Sequence, residues 1–565
     1  MNRLKVLTAR RPEWASRTLI NAGFFGALLF AQYQTGPGTL ELTIVDDLSG
    51  RPAPARVELL DADRKAYIAS DALPVNGDCE DRQVPLDLTV ERAIAMLSKN
   101  VENPYRQTTQ FYSDGSSIVS SLPAGSYKLR VQRGMEYEVW EDDVRVGPGE
   151  IVKLTIRMRR WIDLAKLGWY SADDHLHIAR PVRELNPFIS KWMQAEDLHV
   201  ANLLQMGLSK RFHATIQHAF GSESLYREGD YWLATGQENP RTHFLGHTIT
   251  LGGNAPIDFR NEYLIYGNFW KEAHRQRALA GYAHLLSIFR GNRNGESAQY
   301  GLAIDLPLDL LSFVEILQDS TLGDAAWYEI LNTGYRLTPV AGTDYPCKAS
   351  YPGRERFYTR VKPPFTYDAW LDGVRRGATF ITNGPALEFR INGRDLGDEI
   401  VLEKPQQVLV EARVRFDPKQ ENIQRLELIK NGQLIHSYPR LSNSPEISFR
   451  VNLKMDETAW LAVRARGRKI TEVPNDAVAH SAPIYVTLKD TPPLSASPVG
   501  RAMATQWLAK LKDLEMRLAE DQIQYLAAPP VGDGVDEADI RRGRTGLLKA
   551  IESARARYEN TVNGR

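Results

Sequence analysis

Between Thr39 and Met158 apolar and polar positions alternate with a period of two. Leu40, Leu42 and Ile44 are separated by Glu41 and Thr43; Tyr127, Leu129 and Val131 by Lys128 and Arg130; Val152, Leu154, Ile156 and Met158 by Lys153, Thr155 and Arg157. Successive strand side chains point to opposite faces, so this pattern predicts an antiparallel sheet with one buried face. The segments "SGRPAPA", "SDG" and "LPAG" supply turns. A small β-sandwich is therefore expected over residues 38–164, with a helical insertion near Leu88–Leu97. Over residues 165–385 the texture changes. Short apolar runs ("HVANLL", "LSFVEIL", "LTPVAG") alternate with helical stretches ("NFWKEAHRQRALAG", "YDAWLDGVRRG"). That alternation predicts β/α units around a largely parallel sheet or barrel, whose ligands gather at the carboxyl ends of the strands. Alternation returns over 386–490, where Val408, Val410, Ala412, Val414 and Phe416 line one face, and predicts a second, Ig-like sandwich. Asn431-Gly432 between two apolar runs is a hairpin signal. After "DTPPLSASP", residues 491–565 read as a linker and two helices, Arg501–Leu526 and Glu537–Glu559. The fold class expected is multidomain α/β plus all-β.

At 565 residues the chain is too long for one core. Residues 1–37 read as a signal peptide or N-terminal arm. A basic stretch (Arg3, Lys5, Arg10, Arg11, Arg17) precedes an apolar run from Leu19 to Ala31. That run is too short to span a bilayer, which needs about 20 residues. An exported protein, periplasmic or extracellular, is expected, with no transmembrane segment in the mature chain. Lys+Arg and Asp+Glu both number 70, which gives no electrostatic case for a nucleic acid or an anionic membrane as partner. A small-molecule substrate is expected instead. The two cysteines, Cys79 and Cys347, form no CxxC pair and read as free thiols; a bridge between them would need an oxidising compartment.

The chemistry gathers in the middle third. Nine of the 11 histidines lie between His175 and His284, where even spacing would put about two. In "GWYSADDHLHIARP", Asp173, His175 and His177 occupy alternate positions and would share one strand face. Two imidazoles on one face supply two nitrogen ligands, and Asp173 is placed to accept the far N–H of one ring and fix its tautomer. Further ligand types occur at strand ends: Glu238, His243 and His247 in "GQENPRTHFLGHTITL", His284 in "GYAHLL" and Asp344 in "LTPVAGTDYP". A nitrogen and carboxylate set without sulfur suits Zn²⁺ or Mn²⁺, with Fe as a further option. His243 is a reserve ligand, Glu315 a supporting group, and His199, His213, His218 and His274 read as structural.

These segments resemble the CehA/McbA branch of the PHP-domain metallohydrolases. The resemblance rests on "SADDHLH" for a GDxHxH signature, "GQE" for a GxE element, Gly246-His247, "AHL" at His284, "AGTD" for a GSD element and "RRGATFITNGP" at the close, and covers roughly 165–390. The upstream "LPAGSYKLRVQRGMEYE" is similar to the carboxypeptidase-regulatory-like sandwich found before such domains. The resemblance implies a distorted seven-stranded β/α barrel of PHP type. It implies His175, His177 and Asp344 at a first ion, and Glu238 bridging to a second ion held by His247 and His284. A third position departs from the family pattern: Gln205 and Met206 replace an Asp and a His, Pro346 replaces a His, and Arg183 lies where another His is expected. One or two divalent ions are thus expected. Such an ion lowers the pKa of water from 15.7 to about 7. Asp344 would orient the nucleophile, Asp173 would support a ligand, and Tyr345 would donate to an oxyanion. Arg180 and Arg290 would meet an anionic substrate group. The function implied is a metal-dependent hydrolase of small esters, carbamates or amides. Alternatives are a metal-dependent phosphoesterase, or a non-catalytic cell-envelope scaffold with a degenerate barrel. Zero net charge argues against a nuclease.

Overall fold

Closure of one sheet on itself organises the middle of the molecule. In a computed structural model, residues 36–74, 91, 109–209, 212–259, 262–285, 300–348, 350–470, 476–527 and 535–564 are described. Residues 1–35 of the expected signal segment, all but Glu91 of the expected insertion, Cys79 and Arg290 lie outside the described residues. The central strands are β1 (Trp169–Leu176), β2 (Val200–Ser209), β3 (Tyr231–Thr242), β4 (Gly246–Leu251), β5 (Leu279–Tyr282), β6 (Phe313–Gln318) and β7 (Thr338–Ala341). β1 pairs with β2 and β2 with β3 in parallel. β3–β4 and β4–β5 are antiparallel, and β5–β6 and β6–β7 are parallel again. Just beyond β7, Tyr345 bridges Leu176 of β1 and completes the circuit. The expected "largely parallel" sheet is thus interrupted by β4, which returns by a tight hairpin. The reversal matters for the site, because it brings the amino end of β4 to the mouth where the other strands end.

Helices cover the outside: α1 (Asn186–Ala195), α2 (Tyr266–Arg275), α3 (Tyr300–Asp305), α4 (Asp324–Asn332) and α5 (Tyr367–Arg375). The C-terminal helices α6 (Pro498–Arg517) and α7 (Glu537–Val562) pack against them. Trp507, Leu511 and Leu514 of α6 and Ile540, Leu547, Ile551 and Tyr558 of α7 recur at helical spacing and join the barrel's own core. Ser497 caps α6 and an Asp536/Asp539 capping box starts α7. α6 ends nine residues before the expected Leu526; a turn and a short 3₁₀ segment, Ile523–Tyr525, follow. Among the described residues no helix is long and apolar enough to cross a membrane.

On the N-terminal side, Gly38–Asp46, Ser116–Leu122 and Ile151–Met158 face a sheet of Ala55–Leu60, Gln110–Ser113, Gly125–Gln132 and Trp140–Val146. Leu40, Leu42, Ile44, Leu129, Val131, Ile156 and Met158 are buried between them. Gly38–Asp46 runs parallel to Ile151–Met158, against the antiparallel expectation. Alternation dictates which face is buried, not strand direction. On the C-terminal side, Val408, Val410, Ala412, Val414 and Phe416 are buried as expected. Asn431 and Gly432 adopt φ of +49° and +83° in the predicted hairpin, values at which a glycine is favoured. β8 (Arg356–Arg360) joins β1 to β9 (Thr379–Thr382), and β9 pairs with Asp476–Ser481. Hydrogen bonding therefore runs across the 385/386 boundary. Asp324 of α4 also binds Arg464 and Arg466 of the sandwich.

Candidate metal centre

β1 is buried along nearly its whole length although it carries two aspartates and a histidine. Its pairing with β2 slips between Asp173 and Leu176, so an extra residue is accommodated there. This bulge breaks the two-residue alternation expected to put Asp173 and His175 on one face. Asp173 instead accepts from the Thr343 hydroxyl (2.6 Å) and the backbone N–H groups of His175 (2.9 Å), Gly353 (2.9 Å) and Thr343 (3.2 Å). It anchors the loop after β7 and holds no imidazole, which corrects its expected role. Burial raises its pKa to about 6, with the hydrogen bonds opposing.

His175 and His177 converge nonetheless. Their Nε2 atoms are 3.1 Å apart. His177 Nε2 lies 3.1 Å from Asp344 Oδ1 and 3.2 Å from Glu238 Oε2. His175 Nε2 lies 3.5 Å from Asp344 Oδ1 and 3.9 Å from Glu238 Oε2. These are five edges of a four-cornered figure. Ligands 2.0–2.1 Å from a tetrahedral Zn²⁺ stand about 3.3 Å apart, so the donor set fits such an ion without large movement. Glu238 Oε2 is buried, yet no well-aligned donor satisfies it.

Glu238 turns its other oxygen to a second group. Oε1 is 2.7 Å from His247 Nδ1 and 3.7 Å from His284 Nε2. The His247 and His284 rings lie 4.8 Å apart, and His284 stacks on His175 at 5.4 Å. Two triads each bring three donor atoms within 4.8 Å of one another: His175, His177 and Asp344, and His175, Glu238 and His284. His247 is hydrogen-bonded to the second, at the start of β4. With Nδ1 donating to Glu238, its Nε2 keeps a lone pair.

Electrostatics reflect packed opposite charges. Burial alone would deprotonate His175, but Glu315 and Asp344 hold its pKa well above the ordinary value. His177 is likewise pushed up by Asp344 and Glu238 against burial. Burial would raise Asp344, but the two imidazoles bring it down to about 2. Glu238 is held low by Arg241 and His247 against burial. Burial pulls His247 down to about 3, despite Glu238. The carboxylates thus favour the protonated imidazoles at His175 and His177, so a metal ion and protons compete for this place.

The remaining expected residues fall elsewhere. Tyr345 stacks edge-to-face on Trp192 at 5.4 Å within an apolar cluster that includes Tyr112, so its ring packs in the core rather than with the ligating side chains. Arg180 is fully buried and donates to Asn186 Oδ1 (3.1 Å) and Thr235 Oγ1 (2.7 Å); it is not open to a substrate. His243 is exposed at the rim, its ring 6.0 Å from that of His247. His199 is buried against Tyr231 and Ser171, its pKa lowered to about 4 by burial. His274 is exposed on α2 and His218 is half-buried; the His213 side chain lies outside the described residues. Gln205 accepts from the Gln217 backbone, Met206 packs with Cys347, and Arg183 is exposed. Cys347 is disulfide-bonded, which overturns the free-thiol expectation at that position.

Glu315 takes the supporting place expected of it, and two further features, at Asp174 and Gly342, escaped the sequence. Glu315 Oε2 lies 3.3 Å from His175 Nδ1. Asp174, adjacent to His175, is fully buried and neither of its oxygens has a hydrogen-bond partner. Gly342 stands where a Cβ would meet both carboxyls and the His175 Cβ. The sequence signals were an acid inside the apolar "LSFVEIL" run and a glycine closing "LTPVAG". Comparison with protein-family models, with curated proteins and with solved structures finds no match.

Proposed function

We propose that the chain is a metal-dependent hydrolase of the CehA/McbA type, with a PHP-like barrel that uses one or two divalent ions to cleave small esters, carbamates or amides. The observation that carries this reading is the four-donor figure of His175, His177, Glu238 and Asp344, with edges of 3.1–3.9 Å. Zn²⁺ or Mn²⁺ suits these nitrogen and oxygen donors. A bound divalent ion would supply hydroxide at neutral pH and polarise the scissile carbonyl.

The chain's own groups divide the remaining work. His175 and His177 present Nε2 as neutral donors once their protons leave. Glu238 turns Oε2 to His175 and His177 and Oε1 to His247 and His284. Asp344, with 12% of its side chain exposed, is the ligand carboxylate that reaches solvent and orients the attacking water. The ligand side chains around it are buried, which strengthens each electrostatic contact. Cys347, disulfide-bonded, supports an oxidising compartment and hence the export expected from the N-terminal pattern.

The test is metal analysis of the purified protein, combined with a panel of carboxylic esters, carbamates and phosphoesters. One or two equivalents of transition metal, turnover abolished by chelation, and loss of turnover in a folded His175→Ala variant are expected. Less than about half an equivalent after reconstitution would reject the enzyme and favour a scaffold. Turnover of phosphoesters alone would move the substrate class.

A further inference from the structure

We infer that Glu315 is a positioning residue: its Oε2 accepts from the His175 ring Nδ1–H and the His284 backbone N–H together, so that ligands from two strands present Nε2 to one place. The inference rests on the metal reading above. Glu315 lies on β6, which contributes none of the six candidate ligands, and it is fully buried. Its Oε2 stands 3.3 Å from His175 Nδ1, and the same oxygen accepts from the His284 N–H. The Glu315 carbonyl also accepts from Leu285 N–H at 3.0 Å. The segment around His284 is therefore pinned on both sides of that residue's peptide.

The pinning matters because His284 has a φ of +30°, in the region that disfavours a side chain. Such a conformation persists only where its surroundings enforce it. At His175 the consequence concerns the tautomer. A proton kept on Nδ1 by a carboxylate leaves Nε2 as the donor, and Nε2 is the atom that faces His177, Glu238 and Asp344. Asp173 cannot take this role, since its oxygens serve Thr343, Gly353 and the His175 backbone. Space is tight: a Cβ on Gly342 would stand 2.8 Å from Glu315 Oε1 and 2.5 Å from the His175 Cβ. One carboxylate thus couples the two triads, which share His175.

The experiment compares wild type, Glu315→Gln and Glu315→Ala for Zn²⁺ affinity by chelator competition, and for the visible spectrum of the Co²⁺-substituted protein. Melting of the metal-free forms is followed alongside. Glu315→Ala should weaken Zn²⁺ binding about 10- to 100-fold and alter the Co²⁺ spectrum. Glu315→Gln, which keeps one acceptor oxygen, should lose less and serves alone if the alanine variant does not fold. Variants that melt lower but bind Zn²⁺ as wild type does, with an unchanged Co²⁺ spectrum, would reduce Glu315 to a packing role and overturn the inference while leaving the metal centre standing. Wild type that binds neither ion would overturn the metal reading itself, and this inference with it.

Discussion

Replacing Gly342 with alanine tests the packing of the centre through a residue that ligates nothing. The added Cβ would lie 2.5 Å from the His175 Cβ, 2.7 Å from Asp174 Oδ1 and 2.8 Å from Glu315 Oε1. Non-bonded carbons settle at about 3.5–4.0 Å, so the His175 Cβ must retreat by about 1 Å. A Cβ cannot swing aside by rotamer change, so the β1 backbone must move with it. Overpacking of this kind costs about 1–3 kcal/mol. Each 1 kcal/mol lowers Tm by about 2–4 °C in a domain of barrel size, which predicts a fall of about 2–12 °C. A ligand shift near 1 Å also exceeds the ~0.5 Å tolerance of a preorganised site, so Zn²⁺ affinity should drop at least about tenfold. The assay is thermal melting by circular dichroism of the metal-free protein, with chelator competition for Zn²⁺. Gly125→Ala is the control: its added Cβ has a nearest neighbour at 4.0 Å, Pro123 O, and should change neither quantity. Wild-type melting and wild-type affinity in Gly342→Ala would refute the packing described for β1, β6 and the end of β7.

Other outcomes follow from the same geometry. Asp344→Asn and His177→Ala should each abolish tight metal binding, read by metal analysis after dialysis, while far-ultraviolet circular dichroism stays unchanged. Because the pKa values of His175 and His177 are raised, metal binding should release protons and weaken on acidification; calorimetry in buffers of different ionisation heat measures the release. In the metal-free protein the same raised pKa values stabilise the fold fully below about pH 6.5 and are lost as pH climbs through the folded-state values, so its melting temperature should carry an alkaline decline that the metal-loaded form lacks. Asp324→Ala removes one of the two carboxylates that face Arg464 and Arg466 between α4 and the C-terminal sheets; Glu427 still pairs with both, so the loss is that of one charged hydrogen bond, about 1.5–3 kcal/mol in denaturant melts.

How much could be read from the chain depended on how local the cause was. The buried faces of both sandwiches follow from alternation within single strands, as at Leu40–Ile44 and Val408–Phe416. The Asn431-Gly432 turn follows from two residues. His175, His177, Glu238 and Asp344 were legible as ligand types at the ends of apolar strands, and their grouping was what the family resemblance implied. What failed was set by partners distant in sequence. The β1 bulge, which takes Asp173 off the histidine face, exists only through pairing with β2. The parallel pairing of Gly38–Asp46 and the reversal of β4 are matters of topology, on which alternation is silent. Glu315 was legible as a supporting group but its partner was not: it meets His175 across 140 positions of chain, and no spacing rule links them. Tyr345 looked catalytic beside Asp344, but its ring turns to Trp192.

The most direct measurement is a crystal structure of the Zn²⁺-reconstituted protein with anomalous data collected at the zinc edge. The account predicts an anomalous peak about 2.0–2.1 Å from His175 Nε2, His177 Nε2 and an Asp344 oxygen, with Glu238 turned towards it. Zinc located only elsewhere, or no peak between these side chains at saturating metal, would contradict it.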